Sequence, residues 1–115
     1  MSTDCLFCKI RDGQIPATLT HRDDHVFAFK DIVPKAPFHQ LVVPLRHVAR
    51  LADAGPDDDV LLGRLMLAGA RLAREAGYGE SGFRVVMNSG AEAGQTVWHV
   101  HLHVLAGRPL TWPPG

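Results

Sequence analysis

Residues 98–105 read Trp98-His99-Val100-His101-Leu102-His103-Val104-Leu105, imidazole and apolar side chains in strict alternation. In an extended chain alternate residues share a face and lie roughly 7 Å apart. His99, His101 and His103 are therefore expected on one face of a strand, with Val100, Leu102 and Val104 on the other, against a core. Trp98 is expected on the Val100 side. Three imidazoles in a row form a reactive surface: one can attack, one can hydrogen-bond an anion, and one can orient a neighbour or hold a metal. A half-buried strand that merely carries histidines on its polar side, and a purely metal-binding strand, are the plainer alternatives.

The segment before this strand, Asn88-Ser89-Gly90-Ala91-Glu92-Ala93-Gly94-Gln95-Thr96, is a loop of glycines, small residues and side-chain amides. Such loops can turn backbone N–H groups toward an oxyanion. Its position beside three imidazoles marks it as a candidate phosphate cradle.

Further upstream, a helix is expected from Asp57 to Ala76. Pro56 and three aspartates suit its first turn, Gly77 suits its C-terminal cap, and Leu61, Leu65, Ala68 and Leu72 form its apolar stripe. A short helix is expected over Leu6–Arg11 and a helical turn over His47–Leu51. Strands are expected at Ala17–His21, Val26–Lys30, His39–Val43, Phe83–Met87 and Trp98–Leu105, with Asp31–Phe38 as a connection. Strands outnumber helices and one long helix interrupts them. That favours an α+β fold, an antiparallel sheet backed by a helix, over a doubly wound sheet.

The totals set the frame. The chain has 115 residues, 46% apolar and 21% charged, which fits a single globular domain spanning 1–115. Twelve basic and twelve acidic residues cancel, so neither a nucleic-acid nor a membrane partner is expected. The opening Met1-Ser2-Thr3-Asp4 has no secretory pattern, and no apolar run is long enough to span a bilayer. The expected location is the cytoplasm. There, Cys5 and Cys8, the two cysteines, are expected as thiols or metal ligands rather than a disulfide. Their spacing is that of half a zinc site; a redox pair and two buried thiols are the alternatives. His21 and His25 are expected at the surface. The tail Arg108–Gly115 holds three prolines and Trp112, so it is not regular structure.

The run Gly94-Gln95-Thr96-Val97-Trp98-His99-Val100-His101-Leu102-His103-Val104-Leu105 resembles the signature of the histidine-triad (HIT) family. So do Cys5-Leu6-Phe7-Cys8-Lys9-Ile10, Phe29-Lys30-Asp31-Ile32, and Pro37-Phe38-His39 followed by Leu41-Val42-Val43-Pro44 and His47. The ending Trp112-Pro113-Pro114-Gly115 is similar to the Hint branch. The resemblance implies five antiparallel strands with two helices, and a homodimer whose sheets join, with the tail and its Trp112 reaching the partner. It implies hydrolysis of purine nucleoside 5′-phosphoramidates to an amine and a nucleoside monophosphate, without a catalytic cofactor. His101 would be the nucleophile and carry a covalent nucleotidyl intermediate. His103 would bind the phosphate, and His39 would orient His101 and help relay its proton. Asn88, Gly94, Gln95 and Thr96 match phosphate-site positions, Asp31 the ribose site, and Phe7, Phe29 and Ile32 the base pocket. A structural zinc ion would be held by Cys5, Cys8, His47 and His99. Thr96 stands where the Hint branch carries serine; Gln95-Thr96 is similar to the diadenosine-polyphosphate hydrolase branch. Polyphosphate hydrolysis, a regulatory nucleotide-binding module and a non-catalytic metal-binding protein are the competing readings.

Overall fold

The structure, a computed structural model, describes residues 4–115; Met1-Ser2-Thr3 of the polar opening lies outside the described residues. Helix α1 spans Leu6–Arg11 and helix α2 Asp59–Glu75. The strands are β1 (Leu19–Arg22), β2 (Val26–Lys30), β3 (Phe38–Pro44), β4 (Phe83–Val86) and β5 (Leu102–Ala106). They form one antiparallel sheet in the order β1-β2-β3-β5-β4. This is the α+β architecture expected from the pattern. No helix among the described residues is long and apolar enough to cross a membrane.

Strand alternation divides the core in two. Val26, Ala28, Val42, Leu102, Val104 and Ala106 point to one face and are covered by Leu65 and Ala73 of α2, flanked by Leu61, Ala68 and Leu72. Phe27, Phe29, Leu41 and Val43 point to the other face and are covered by Phe7, Cys8 and Ile10 of α1. Burying apolar surface on both sides makes β3 the spine of the fold: every one of its residues is buried.

The long helix begins as its sequence dictates. Pro56 opens a single 3₁₀ turn, and the Asp58 carboxylate accepts the Gly55 N–H at 2.8 Å, supplying a cap. It ends where Gly77 takes φ +96°, letting the Tyr78 N–H reach the Ala73 carbonyl. Helix α1 is capped by Cys5, whose Sγ accepts the Cys8 N–H at 3.4 Å. The two-residue gap between the cysteines thus spans one first turn and brings both sulfurs to the same end of α1.

Several boundaries differ from expectation: α2 runs Asp59–Glu75 because Pro56–Asp58 form a 3₁₀ turn ahead of it, β3 is one residue longer at each end, and β4 ends one residue earlier. Strand β1 lies at Leu19–Arg22, two residues later than expected at its start. The helical turn expected at His47–Leu51 falls at Leu51–Asp53. The largest difference is β5, which starts at Leu102 and not at Trp98. Its ladder with β3 stops at the Val42–Leu102 pair. Pro44, beyond it on β3, has no N–H to donate, and its carbonyl is taken by the His99 ring at 2.8 Å. The Val100 N–H turns instead to the Val48 carbonyl at 2.7 Å. Trp98 consequently leaves the core side and is 46% exposed.

The helix crosses the sheet most closely at Gly69. A Cβ there would stand 3.0 Å from both Leu102 Cδ2 and Val104 Cγ2. Gly69→Leu is expected to destabilise the protein by about 1–3 kcal/mol through overpacking, read as a lower midpoint in urea unfolding. An unchanged midpoint would contradict the close crossing.

Candidate functional site

The face of the sheet covered by α1 carries the histidines, and main-chain groups set how each ring is presented. His101 places Nδ1 at 2.7 Å from the His99 carbonyl. A carbonyl only accepts, so that nitrogen carries the proton and the neutral ring's Nε2 keeps its lone pair. His39 receives the Lys35 N–H on Nδ1 at 3.0 Å, so its own proton sits on Nε2. That Nε2 lies 2.9 Å from His103 Nδ1 and 3.5 Å from Asp31 Oδ2. His103 Nδ1 therefore accepts, and the His103 proton sits on Nε2. One ring of the pair offers a lone pair and its neighbour, 5.0 Å away between centroids, offers a donor.

Burial keeps these rings neutral. Loss of solvent lowers the His101 pKa, opposed by the His99 carbonyl and by Asp31. Burial, with the adjacent His101 and His39, pushes His103 down to about 4. His39 is lowered by burial against the pull of Asp31. At neutral pH the nucleophilic form of His101 is thus the populated one.

His101 and His103 open into a cleft of about 360 Å³. Phe7, Phe29, Asp31, Ile32, Asn88, Gly94 and Thr96, all named from the sequence, line it; Phe7, Phe29 and Ile32 are apolar, and Asp31, Asn88 and Thr96 are polar. Phe7 meets the His101 ring edge-on at 4.9 Å. Leu6, Ile10, Ile15 and Val97 also line the cleft and were not expected there. The helical period of α1 points Leu6 and Ile10 to one side; no local signal marks Ile15.

Three expectations are corrected. His39 contacts His103 rather than His101, because the His99 carbonyl already holds His101 Nδ1. Gln95 does not present its amide to the cleft. It is buried, with Oε1 accepting the Gly90 N–H at 2.9 Å and Nε2 donating to the Ala49 and Val97 carbonyls. The loop also turns part of its backbone donors inward. The N–H groups of Ala93, Gly94 and Gln95 close its own turn on Gly90 and Ala91. Asn88, the Thr96 hydroxyl and His103 Nε2–H are the side-chain donors that line the cleft.

A second cluster lies beside the first. Cys5 Sγ, Cys8 Sγ, His47 Nδ1 and His99 Nδ1 all fall within 4.8 Å of one another. Cys5 Sγ is 3.3 Å and Cys8 Sγ 3.6 Å from His99 Nδ1, His47 Nδ1 is 3.5 Å from Cys8 Sγ, and the two Nδ1 atoms are 3.2 Å apart. A tetrahedron with zinc–sulfur and zinc–nitrogen arms has edges of about 3.3–3.8 Å. His99 donates Nε2–H to the Pro44 carbonyl at 2.8 Å, which leaves Nδ1 as a lone pair aimed at the thiols. Both cysteines are free and buried. The four residues fit a zinc ion in donor type and spacing, and His99 also in tautomer. Asp31, His39 and His103 also converge, but the Lys35 N–H forces the His39 proton onto Nε2, the atom a metal would need.

The remaining histidines lie away from the cleft. His25 is exposed, and His21, half-buried, pairs with Asp23 at 2.7 Å. Arg84 donates to the Leu110 and Thr111 carbonyls and ties down the tail, on which Trp112 is 82% exposed.

The chain is similar to known proteins along its length. The HIT domain family model matches residues 12–110. An uncharacterized HIT-like protein of Synechocystis is 48% identical over 115 residues, the whole of both chains. The crystal structure of a HIT family hydrolase from Legionella pneumophila superposes with a TM-score of 0.96 at 46% identity, covering 97% of this chain and all of that one. A histidine triad protein from Clostridium difficile gives 0.92 at 41% identity, over 96% of each chain. With His101 and His103 lining an apolar cleft, and these likenesses along its length, the chain belongs to the HIT domain family.

Proposed function

We propose that this protein is a nucleotide hydrolase that cleaves purine nucleoside 5′-phosphoramidates through a nucleotidyl intermediate on His101. The observation that carries the reading is the opposed pair of tautomers. His101 turns a lone pair, and His103 an N–H, into one apolar cleft bounded by Phe7, Phe29, Asp31 and Ile32. The hydrolase from Legionella pneumophila, close in sequence and fold, supports the reaction class.

In this reading the base packs between the apolar walls and the ribose hydroxyls meet Asp31. His103 Nε2–H, Asn88 and Thr96 hold the non-bridging oxygens, where fixed donors stabilise charge that builds in transit. The His101 Nε2 lone pair forms a bond to phosphorus. The phosphorus–nitrogen bond breaks, its electron pair stays on the departing nitrogen, and that nitrogen takes up a solvent proton passed through the Thr96 hydroxyl. Water then attacks phosphorus, frees the monophosphate and restores neutral His101. Splitting one displacement into two lowers each barrier. Purine preference rests on the resemblance alone, since apolar walls and one carboxylate do not select a base.

The second reading, dinucleoside polyphosphate hydrolysis, rests on Thr96 and uses the same attack with a phosphate leaving group. Hydrolysis of adenosine 5′-phosphoramidate and of diadenosine polyphosphate by wild type and His101→Ala separates the two. Wild type is expected to release AMP from the phosphoramidate, and His101→Ala to lose at least about a thousandfold in kcat while still binding AMP. An inert wild type that binds AMP would contradict phosphoramidate hydrolysis.

We propose further that Cys5, Cys8, His47 and His99 hold a structural zinc ion. When bound, it would pin the start of α1 to the sheet beside the cleft and take no part in the displacement. Protein prepared without chelator is expected to carry one zinc per chain. Cys8→Ser is expected to lose the metal and melt several degrees lower. Equal melting with and without zinc would contradict the assignment. The cytoplasm, where these thiols stay reduced, is the proposed location. A homodimer is proposed through the outer edge of β4, with Trp112 turned toward the partner; the edge position of β4 and the exposure of Trp112 support it.

A further inference from the structure

The cleft is not the only hollow that reaches Thr96. A groove of about 480 Å³ lies on the other side of that residue, lined by Asp4, Cys5, His47, Ala49 and Trp98. Leu6, Thr96 and Val97 line both hollows and form the saddle between them, whereas His101 and His103 line the cleft only. Trp98 is 46% exposed there, and no other aromatic ring among the described residues packs on it.

In-line displacement sets which part of a substrate belongs in each hollow. The bond that breaks points away from the attacking atom. With His101 attacking from the cleft side and Thr96 on the saddle, the leaving group departs across Thr96 into the groove. The groove lining favours one chemistry. Leu6, Ala49, Val97 and the indole of Trp98 are apolar, Asp4 is acidic, Cys5 and His47 are shared with the proposed zinc site, and none of the described lining residues is Lys or Arg. A polyphosphate leaving group would find no Lys or Arg side chain there to pair with. A flat ring would find an exposed indole to stack on.

We infer that the groove is a leaving-group subsite that takes an uncharged aromatic ring carried on the departing amine, with Trp98 as its specificity-determining residue. The inference rests on the phosphoramidate reading above and names the amine that this reading leaves open.

The test compares two adenosine 5′-phosphoramidates, of 2-phenylethylamine and of ethylamine, which differ only by the ring. Wild type is expected to favour the phenylethylamine substrate in kcat/KM. Trp98→Ala is expected to lower the phenylethylamine-to-ethylamine ratio about tenfold, the usual scale of a lost apolar contact. Trp98→Phe, which keeps a ring, is expected to restore most of the ratio. AMP affinity, measured alongside, shows that each variant folds. A ratio unchanged in Trp98→Ala, with both rates equally reduced or equally intact, would overturn the subsite and leave phosphoramidate hydrolysis standing. Failure of the wild type to hydrolyse either substrate would overturn both.

Discussion

The site depends on main-chain groups holding one nitrogen of each key imidazole. The Pro44 carbonyl holds His99, the His99 carbonyl holds His101, and the Lys35 N–H holds His39, which passes its orientation to His103. A neutral imidazole has one donor and one acceptor, so fixing one nitrogen fixes the other. Backbone that cannot rotate away thus decides that His99 offers a lone pair to the cysteines, His101 a lone pair to the cleft, and His103 a donor to the same cleft. Burial adds the second condition, since it keeps the rings uncharged and the tautomers single.

The fold supplies that backbone by interrupting a strand. Had β5 run from Trp98, the carbonyls of Pro44 and His99 would have been drawn toward ladder geometry. Pro44 ends the pairing with β5, and the freed carbonyls turn to imidazoles instead. Helix α2, crowded against Leu102 and Val104 at Gly69, holds the sheet from behind. Helix α1 covers the other side and supplies Leu6, Phe7 and Ile10 to the cleft and both sulfurs to the second cluster. No buried side-chain nitrogen or oxygen among the described residues lacks a hydrogen-bond partner, as a polar site inside a small core requires.

Much of this was legible in the sequence because it is periodic or punctuated. The two-residue alternation of His99, His101 and His103 survives in the structure, and Pro56 and Gly77 bracket α2 as their backbone preferences demand. What the sequence misled on is non-local. Trp98 continues the alternation, so nothing near it reports that Pro44, 54 positions earlier, ends the ladder. Gln95 carries an amide suited to a phosphate, but Ala49, Gly90 and Val97 consume it. The resemblance pairs His39 with His101, and only the paired strands show that its ring meets His103, a neighbour on β5.

The account stands on the tautomers, and nitrogen NMR of the ring-labelled protein near neutral pH reads them directly. It predicts His101 protonated on Nδ1 with an unprotonated Nε2, and His103 the reverse. Finding His101 protonated on Nε2, or both rings in the same tautomer, would contradict it.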